Sequence, residues 1–151
     1  MNELPAAPLF LLYVATAKVG NVLAAALEGG PFTVEEAVVL NQIDVLEPVT
    51  PSVLAARLGI SPSTLSYRLR ALQRRRLVSR DDNPHDGRSA LLTLTPLGRR
   101  QWERVLPLWL ATIRAMEDGL ETPRDEVVAV LRELVAAADR ALAAPSRRRT
   151  A

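Results

Sequence analysis

The sequence of 151 residues contains no cysteine, and this absence excludes several classes of function. Disulfides, thiol-based redox sensing and thiolate metal sites all require cysteine. The chain also has a single histidine, His85, whereas zinc and related metals usually need several histidine or cysteine ligands. Carboxylates alone would favour harder ions. We therefore expect neither a metal site nor a cofactor.

Aromatic residues make up only 4% of the chain, so the core must consist mainly of leucine, valine and alanine. An apolar fraction of 48% is ample for a core, and the abundance of alanine and leucine favours helices. No apolar run reaches about 20 residues, the length that spans a membrane. Residues 9–14 are apolar but lack the flanks of a signal peptide, so we interpret them as part of a helix. These features predict a cytoplasmic protein.

Motifs that would indicate catalysis are absent as well. The sequence has no nucleophile elbow, no glycine-rich phosphate loop and no Cys–His pair. The adjacent carboxylates Asp81 and Asp82 are more simply interpreted as turn formers in a hairpin. Acidic pairs at residues 35–36 and 125–126 fall in predicted first helical turns, where they suit the helix dipole. We expect that the protein is not an enzyme.

The most informative segment begins with a predicted helix over residues 62–75. Leu65, Leu69 and Leu72 recur at helical spacing and predict one buried stripe. The opposite face is small, hydroxylated and cationic, which suits the DNA major groove, although a solvated basic face on an ordinary helix gives the same pattern. Helix start signals and this face together provide the candidate DNA contacts: Ser61 as N-cap, Pro62 at the first position, and Ser63, Thr64, Ser66, Tyr67, Arg70 and Arg74.

A predicted hairpin follows this helix and favours the DNA-binding interpretation. Residues 77–78 and 91–94 are short apolar runs, and residues 81–88 between them are rich in turn formers. The hairpin tip would carry Arg88 beside the hydroxyl-rich helix. Such an arrangement of helix and hairpin is what a winged helix requires.

The preceding segment and the charge distribution agree with a DNA-binding lobe. A helix over 51–58, a turn at Gly59 and the helix over 62–75 have helix-turn-helix spacing. Residues 51–104 hold eleven arginines against four acids, a net charge of +7, while the rest of the chain carries −5. An excess of this kind is the electrostatic signature of a polyanion binder. Within it, the phosphate-contact candidates are Arg74, Arg75 and Arg80.

Three sequence motifs resemble those of the MarR family of winged helix-turn-helix transcriptional regulators. They are LQRRRLV at 72–78, DGR at 86–88 and LTLTPLG at 92–98, and the resemblance in order and spacing covers about residues 33–104. The family usually has glycine where this chain has Arg76, and glycine there ends the helix in the left-handed conformation. We predict that Arg76 adopts a positive φ at a cost of about 1 kcal/mol.

The resemblance implies a mainly α fold with a small β-wing in a single domain over residues 1–151. A winged helix DNA-binding lobe would occupy residues 33–95, and residues 9–29 and 96–143 would form a helical dimerisation region. Residues 144–151 would be a basic tail. The last predicted helix supports dimerisation because its apolar residues form a heptad-like seam: Val128, Leu131, Val135, Ala138 and Leu142.

The function implied by the resemblance is regulation of transcription, usually repression, by a homodimer bound to a near-palindromic operator in double-stranded DNA. Arg88 would enter the minor groove, and Asp86 would orient it through an ion pair. A small aromatic or amphipathic effector would release the DNA. Tyr13, Phe32 and Trp102 are conceivable pocket residues, although each also fits a core or interface role.

Two alternatives belong to other classes of function. The chain could be a ligand-independent architectural DNA-binding protein, which would show no response to small molecules. It could instead be a winged-helix module for protein contacts, which would show no steep dependence of binding on salt.

Overall fold

The computed structural model describes residues 8–143, which form six helices and one two-stranded antiparallel sheet. The expected class, mainly α with a small β-wing, is confirmed. The predicted basic tail at 144–151 lies outside the described residues. In chain order the elements are α1 (Pro8–Ala26), α2 (Val34–Leu46), α3 (Pro51–Leu58), α4 (Pro62–Arg74), β1 (Val78–Asp82), β2 (Ala90–Leu94), α5 (Pro96–Asp118) and α6 (Arg124–Ala143).

The described residues divide into two compact units, unit 1 up to Thr112 and unit 2 from Ile113. The core of unit 1 is aliphatic, as expected from the composition, and is formed largely by α2, α3, α4 and the sheet. Aromatic rings extend it, since the centroid of Trp102 lies 6.4 Å from that of Phe32 and 6.1 Å from that of Trp109. Fully buried side chains include Leu40, Ile43, Leu54, Leu65, Leu72, Leu77, Leu92 and Trp102.

Local signals in the sequence fix the helix ends in unit 1. The Thr33 hydroxyl accepts the Glu36 N–H and the Glu36 carboxylate accepts the Thr33 N–H, both at 3.2 Å, which is a complete capping box for α2. Gly59 ends α3 with φ of 63°, and Arg76 follows α4 with φ of 56°. The predicted left-handed conformation of Arg76 is therefore confirmed.

The β-hairpin pairs β1 with β2 from Val78 opposite Leu94 to Asp82 opposite Ala90. The interpretation of Asp81 and Asp82 as turn residues is wrong, because both lie in β1 and pair with β2. A tighter turn explains the difference: the Asn83 side chain donates to Ser89 Oγ at 2.8 Å, which closes the turn after the two aspartates. Their side chains can remain in water because this end of β1 is exposed.

The start of α5 is locked to the segment that follows α4. The Thr95 hydroxyl donates to the Arg76 carbonyl oxygen at 2.7 Å and accepts the Gly98 N–H at 2.9 Å. Gly98 is buried, and a Cβ there would overlap the Leu77 carbonyl oxygen. Thr95 and Gly98 of the motif LTLTPLG therefore have structural roles in joining α5 to the end of α4.

Helix α1 has 19 residues, and an 18-residue window within it has a mean hydropathy of 1.7, so by length and composition alone it could cross a membrane. The core helix of a soluble protein can pass the same test, so this finding does not assign α1 to a membrane. Leu23 is its only buried residue, while Leu9 and Tyr13 are 68% and 73% exposed.

Unit 2 contains α6, which has no buried residue within this chain. Its predicted seam is an exposed apolar face: Leu131 is 45%, Val135 63% and Leu142 84% exposed. A shallow groove of about 330 Å³ follows this face between Val128 and Asp139. Apolar area of this kind on a regular helix is typical of a surface covered by another chain.

Candidate nucleic-acid interface

Helix α4 separates a buried stripe from an exposed polar face, as its spacing predicts. Leu65, Leu69 and Leu72 are at most 2% exposed and pack α4 against the rest of unit 1. Tyr67 is 74% exposed although it is large and aromatic. Every candidate DNA contact on this helix lies at the surface, including Ser61, Pro62, Ser63, Thr64, Ser66, Arg70 and Arg74.

The N-terminal end of α4 carries a cluster of hydroxyl groups. Ser61 Oγ accepts the Thr64 N–H at 3.1 Å and lies 2.9 Å from Ser63 Oγ and 2.8 Å from Thr64 Oγ1. These contacts hold the hydroxyls in defined positions at the positive end of the helix dipole. Such a cluster can donate to phosphate oxygens or to base edges.

The wing between β1 and β2 is built by side chains that bond to the backbone. Asp86 Oδ1 accepts the Arg88 N–H at 3.0 Å, and Asn83 Oδ1 accepts the His85 N–H at 3.0 Å. In the described part of the chain, Asp86 contacts the Arg88 backbone and forms no salt bridge with its guanidinium, so the expected ion pair stays a prediction. Asp86 shapes the turn through the backbone instead, which leaves the guanidinium facing solvent.

Arg80 and Arg88 border a cleft that the sequence did not reveal. Its volume is about 200 Å³, and its other walls are Thr50, Pro51, Ser52, Ser89 and Ala90. Both arginines are exposed and, among residues 8–143, neither takes part in an ion pair. The cleft therefore brings two cations near the start of α3. The sequence marks Thr50-Pro51 as a helix start, but it does not show that the wing lies beside this helix start.

Arg75, which we expected to contact phosphate, is engaged by groups of its own chain. Its guanidinium donates to both carboxylate oxygens of Glu36 at 3.0 Å and to the Pro31 carbonyl oxygen at 2.6 Å. It also lies 5.4 Å from the centroid of the Phe32 ring. These contacts within unit 1 occupy the Arg75 guanidinium. Its partner Glu36 is distant in sequence, so the run of arginines at the end of α4 gave no sign of the ion pair.

Arg99 is a second arginine of the basic segment with acidic partners. It pairs with Asp44 at 3.0 Å and with Glu47, whose other carboxylate oxygen accepts the Leu94 N–H at 2.7 Å. The hydrogen bond that the Arg99 guanidinium donates to Glu47 is the main reason that the pKa of Arg99 is raised. Arg75 and Arg99 are thus neutralised by acids from α2 or its C-cap, and the arginines of α4 and the wing carry the exposed charge.

Of the three conceivable effector contacts, Phe32 borders a cavity within residues 8–143. This cavity of about 430 Å³ lies between α1 and the start of α2 and includes Asn21, Leu27 and Glu35 in its walls. Trp102 is fully buried in the core, and Tyr13 is exposed on α1. Phe32 is itself only 4% exposed, so it serves the core as well as the cavity wall.

Comparisons with known proteins agree with the geometry. A sequence model of the MarR family matches residues 31–89, which include the helix-turn-helix and most of the wing. The solved structure of the transcriptional repressor CouR bound to a 23-mer DNA duplex is 28% identical, with a TM-score of 0.74 over 91% of this chain and 96% of that one. In sequence over residues 31–89 and in fold, the chain is similar to regulators of the MarR family.

Further relatives extend this assignment. The MarR-type fold is shared with the PcaV transcriptional regulator of Streptomyces coelicolor, solved with its natural ligand, at 22% identity and a TM-score of 0.73 over 93% of this chain and 98% of that one. An uncharacterized HTH-type transcriptional regulator of Bacillus subtilis, YxaD, is 38% identical over 61 residues. That match spans 40% of this chain and 43% of YxaD. The matched family model and CouR are both those of transcriptional regulators.

Proposed function

We propose that this MarR-family protein is a cytoplasmic transcriptional repressor that binds a near-palindromic operator as a homodimer. One observation carries the proposal: α4 presents an exposed face of hydroxyls and arginines, while its leucine stripe is buried in the same unit that holds the wing. A helix of about 10–12 Å diameter fits the major groove, which is about 12 Å wide.

In the proposed complex, α4 lies in the major groove. Arg70 and Tyr67 are the longest side chains near the middle of its exposed face and would reach base edges or adjacent phosphates. The hydroxyl cluster at Ser61 would lie against the DNA backbone, where helix N-termini commonly bind phosphate. Arg74 would contact phosphate at the other end of the helix.

The wing supplies the flanking contacts in this proposal. Arg88 would enter the minor groove, where narrow A·T-rich stretches concentrate negative potential. The cleft between Arg80, Arg88 and Ser52 would receive a backbone phosphate between the wing and α3. Two-fold symmetry would place a second copy of these contacts about one helical turn away.

The exposed apolar faces of α1 and α6 support dimerisation, because each would otherwise leave large side chains in water. We infer that a small aromatic or amphipathic effector occupies the cavity bordered by Phe32 and releases the DNA. Its volume of about 430 Å³ is in the range of small-molecule sites. PcaV, which shares the fold, holds a natural ligand.

Fluorescence anisotropy tests the proposal directly. The purified protein is titrated with a duplex from beside its own gene and with a scrambled duplex, at low and at physiological salt. We expect the first duplex to bind about 10³-fold more tightly or better, and both affinities to fall steeply with salt. Equal binding to both duplexes would favour an architectural protein, and no binding at low salt would leave a protein-contact module.

A further inference from the structure

The side chain of Arg75 joins the end of α4 to the segment before α2. The backbone N–H of Arg75 closes the last turn of α4 by donating to the Ala71 carbonyl oxygen at 3.3 Å. Its guanidinium holds Glu36, the Pro31 carbonyl oxygen and the face of Phe32. We propose that this set, the Arg75 clamp, positions α4 for operator binding. The inference rests on the proposed DNA-binding function.

Glu36 makes the clamp rigid because its carboxylate has two roles. One oxygen accepts the Thr33 N–H at 3.2 Å in the capping box, and both oxygens accept from Arg75. The Glu36 side chain is 16% exposed and that of Arg75 39%, so water screens the pair less than it screens an ordinary surface ion pair. Phe32 continues the connection to buried Trp102 of α5, 6.4 Å away.

The length of α4 explains why its C-terminal end matters for DNA contacts at the other end. With 13 residues it is about 20 Å long, so a tilt of about 5° at Arg75 moves the N-terminal hydroxyl cluster by roughly 2 Å. Binding contacts generally require side chains to be held within about 0.5 Å. Loss of the clamp should therefore reduce sequence discrimination more than general attraction to DNA.

The clamp needs arginine specifically. Planar guanidinium can donate to a carboxylate and to a carbonyl oxygen at once while its face rests on an aromatic ring. Lysine keeps the positive charge but cannot make this arrangement. Arg75→Lys should therefore retain nonspecific attraction to DNA and lose part of the preference for operator.

The variant Glu36→Gln distinguishes between two roles of Arg75: the clamp and a direct contact with phosphate. Glutamine can still accept in a capping box, so α2 keeps its start, but the ion pair with Arg75 is lost. If Arg75 contacted phosphate, removing this neighbouring negative charge would tighten binding to DNA. If Arg75 positions α4 through Glu36, the same substitution weakens operator binding.

The experiment compares wild type, Arg75→Gln, Arg75→Lys, Glu36→Gln and the Arg75→Gln/Glu36→Gln double variant. The probes are a duplex selected by the wild-type protein from a random pool and a scrambled duplex, titrated at several salt concentrations. Arg124→Gln is the control, because it removes an exposed ion pair with Glu117 in unit 2. Circular dichroism at the assay temperature confirms that each variant is folded.

We expect Arg75→Gln and Glu36→Gln each to weaken operator binding about tenfold and the double variant to be no weaker than the single ones. Scrambled-duplex affinity and the salt slope should stay unchanged. Unaltered or tighter operator binding by Glu36→Gln overturns the clamp, as does a uniform loss in Arg75→Gln with a salt slope reduced by about one. Failure of the wild type to select or bind any duplex would instead overturn the proposed function itself.

Discussion

Arg88 has a fixed backbone and an exposed side chain, so its contribution to DNA binding can be measured by substitution. Its backbone is fixed by Asp86, and its guanidinium has no ion-pair partner in the described chain. A cation held in this way at a wing tip loses little conformational freedom of the backbone when it binds DNA. The same restraint does not bury the group, so substitution should change binding without changing the fold.

Arg88→Ala should weaken operator binding by about 1–3 kcal/mol and reduce the preference for sequences that flank the half-sites. Anisotropy titrations with flank-substituted duplexes at matched salt measure both effects. His85→Ala is the matched control, because His85 also lies exposed on the wing and its only hydrogen bond there uses the backbone N–H. Unchanged affinity in Arg88→Ala would show that the wing does not bind DNA as proposed.

Gly98 shows how one residue can be required by packing alone. A Cβ at this position would overlap the backbone carbonyl oxygen of Leu77, which cannot move without disturbing the end of α4. Gly98→Ala should therefore lower the free energy of unfolding by about 3 kcal/mol, as overpacking in a core does. Urea denaturation followed by circular dichroism measures the change.

Gly20 provides the opposite control for this prediction. It lies inside α1, and a Cβ there meets no atom within 4 Å. Gly20→Ala should leave stability unchanged or raise it by up to about 1 kcal/mol, because alanine is the better helix former. Similar losses in both variants would mean that helix-interior glycines matter here for a reason other than the Leu77 contact.

At the scale of elements, the wing depends on side-chain oxygens that accept backbone N–H groups. Asp86 accepts from Arg88 and therefore needs an acceptor atom more than it needs a charge. Asp86→Asn should keep operator affinity close to that of wild type, whereas Asp86→Ala should weaken it about fivefold through the loss of one hydrogen bond worth about 1 kcal/mol. Anisotropy titrations of both variants give the comparison. Equal losses in the two variants would restore the ion pair that we first expected.

Elements fixed by local rules could be predicted from the sequence. Thr33 with Glu36, Ser61 with Thr64 and Gly59 with its positive φ all act within four residues, so spacing alone reveals them. The positive φ of Arg76 was predicted from the resemblance instead, because the family usually has glycine at this position. The end of β1 was missed, because Asp81 and Asp82 were assigned to the turn, whereas the Asn83–Ser89 bond closes the turn after them.

Tertiary partners could not be predicted in this way. Arg75 and Glu36 are 39 positions apart, and Arg99 lies 55 positions from Asp44. No periodicity connects residues at such separations, so both arginines were indistinguishable in sequence from free cations of a DNA-binding face. Candidate DNA contacts on α4 were all placed at the surface, since helical periodicity determines which face of a helix is buried.

At the scale of the whole molecule, dimerisation would give α6 a partner that this chain does not provide. Its seam is apolar and exposed, and charged residues such as Arg132 and Asp139 border the groove along it. In a two-fold interface each residue of the seam would contact the partner twice, once from each copy. A charge placed in the seam would therefore be buried twice without a partner, at a cost that no local rearrangement offsets.

Leu131→Glu should raise the dimer dissociation constant by at least about a hundredfold for this reason. Ala129→Glu introduces the same charge at an exposed position on the opposite face of α6 and should leave the dimer intact. Sedimentation equilibrium gives the dissociation constants, and anisotropy gives operator affinity for the same samples. A monomer engages only one half-site, so affinity for the full operator should fall in Leu131→Glu and stay unchanged in Ala129→Glu. If Leu131→Glu remains dimeric, α6 is not the interface, and the exposed face of α1 becomes the next surface to test by the same substitution of an apolar residue by glutamate.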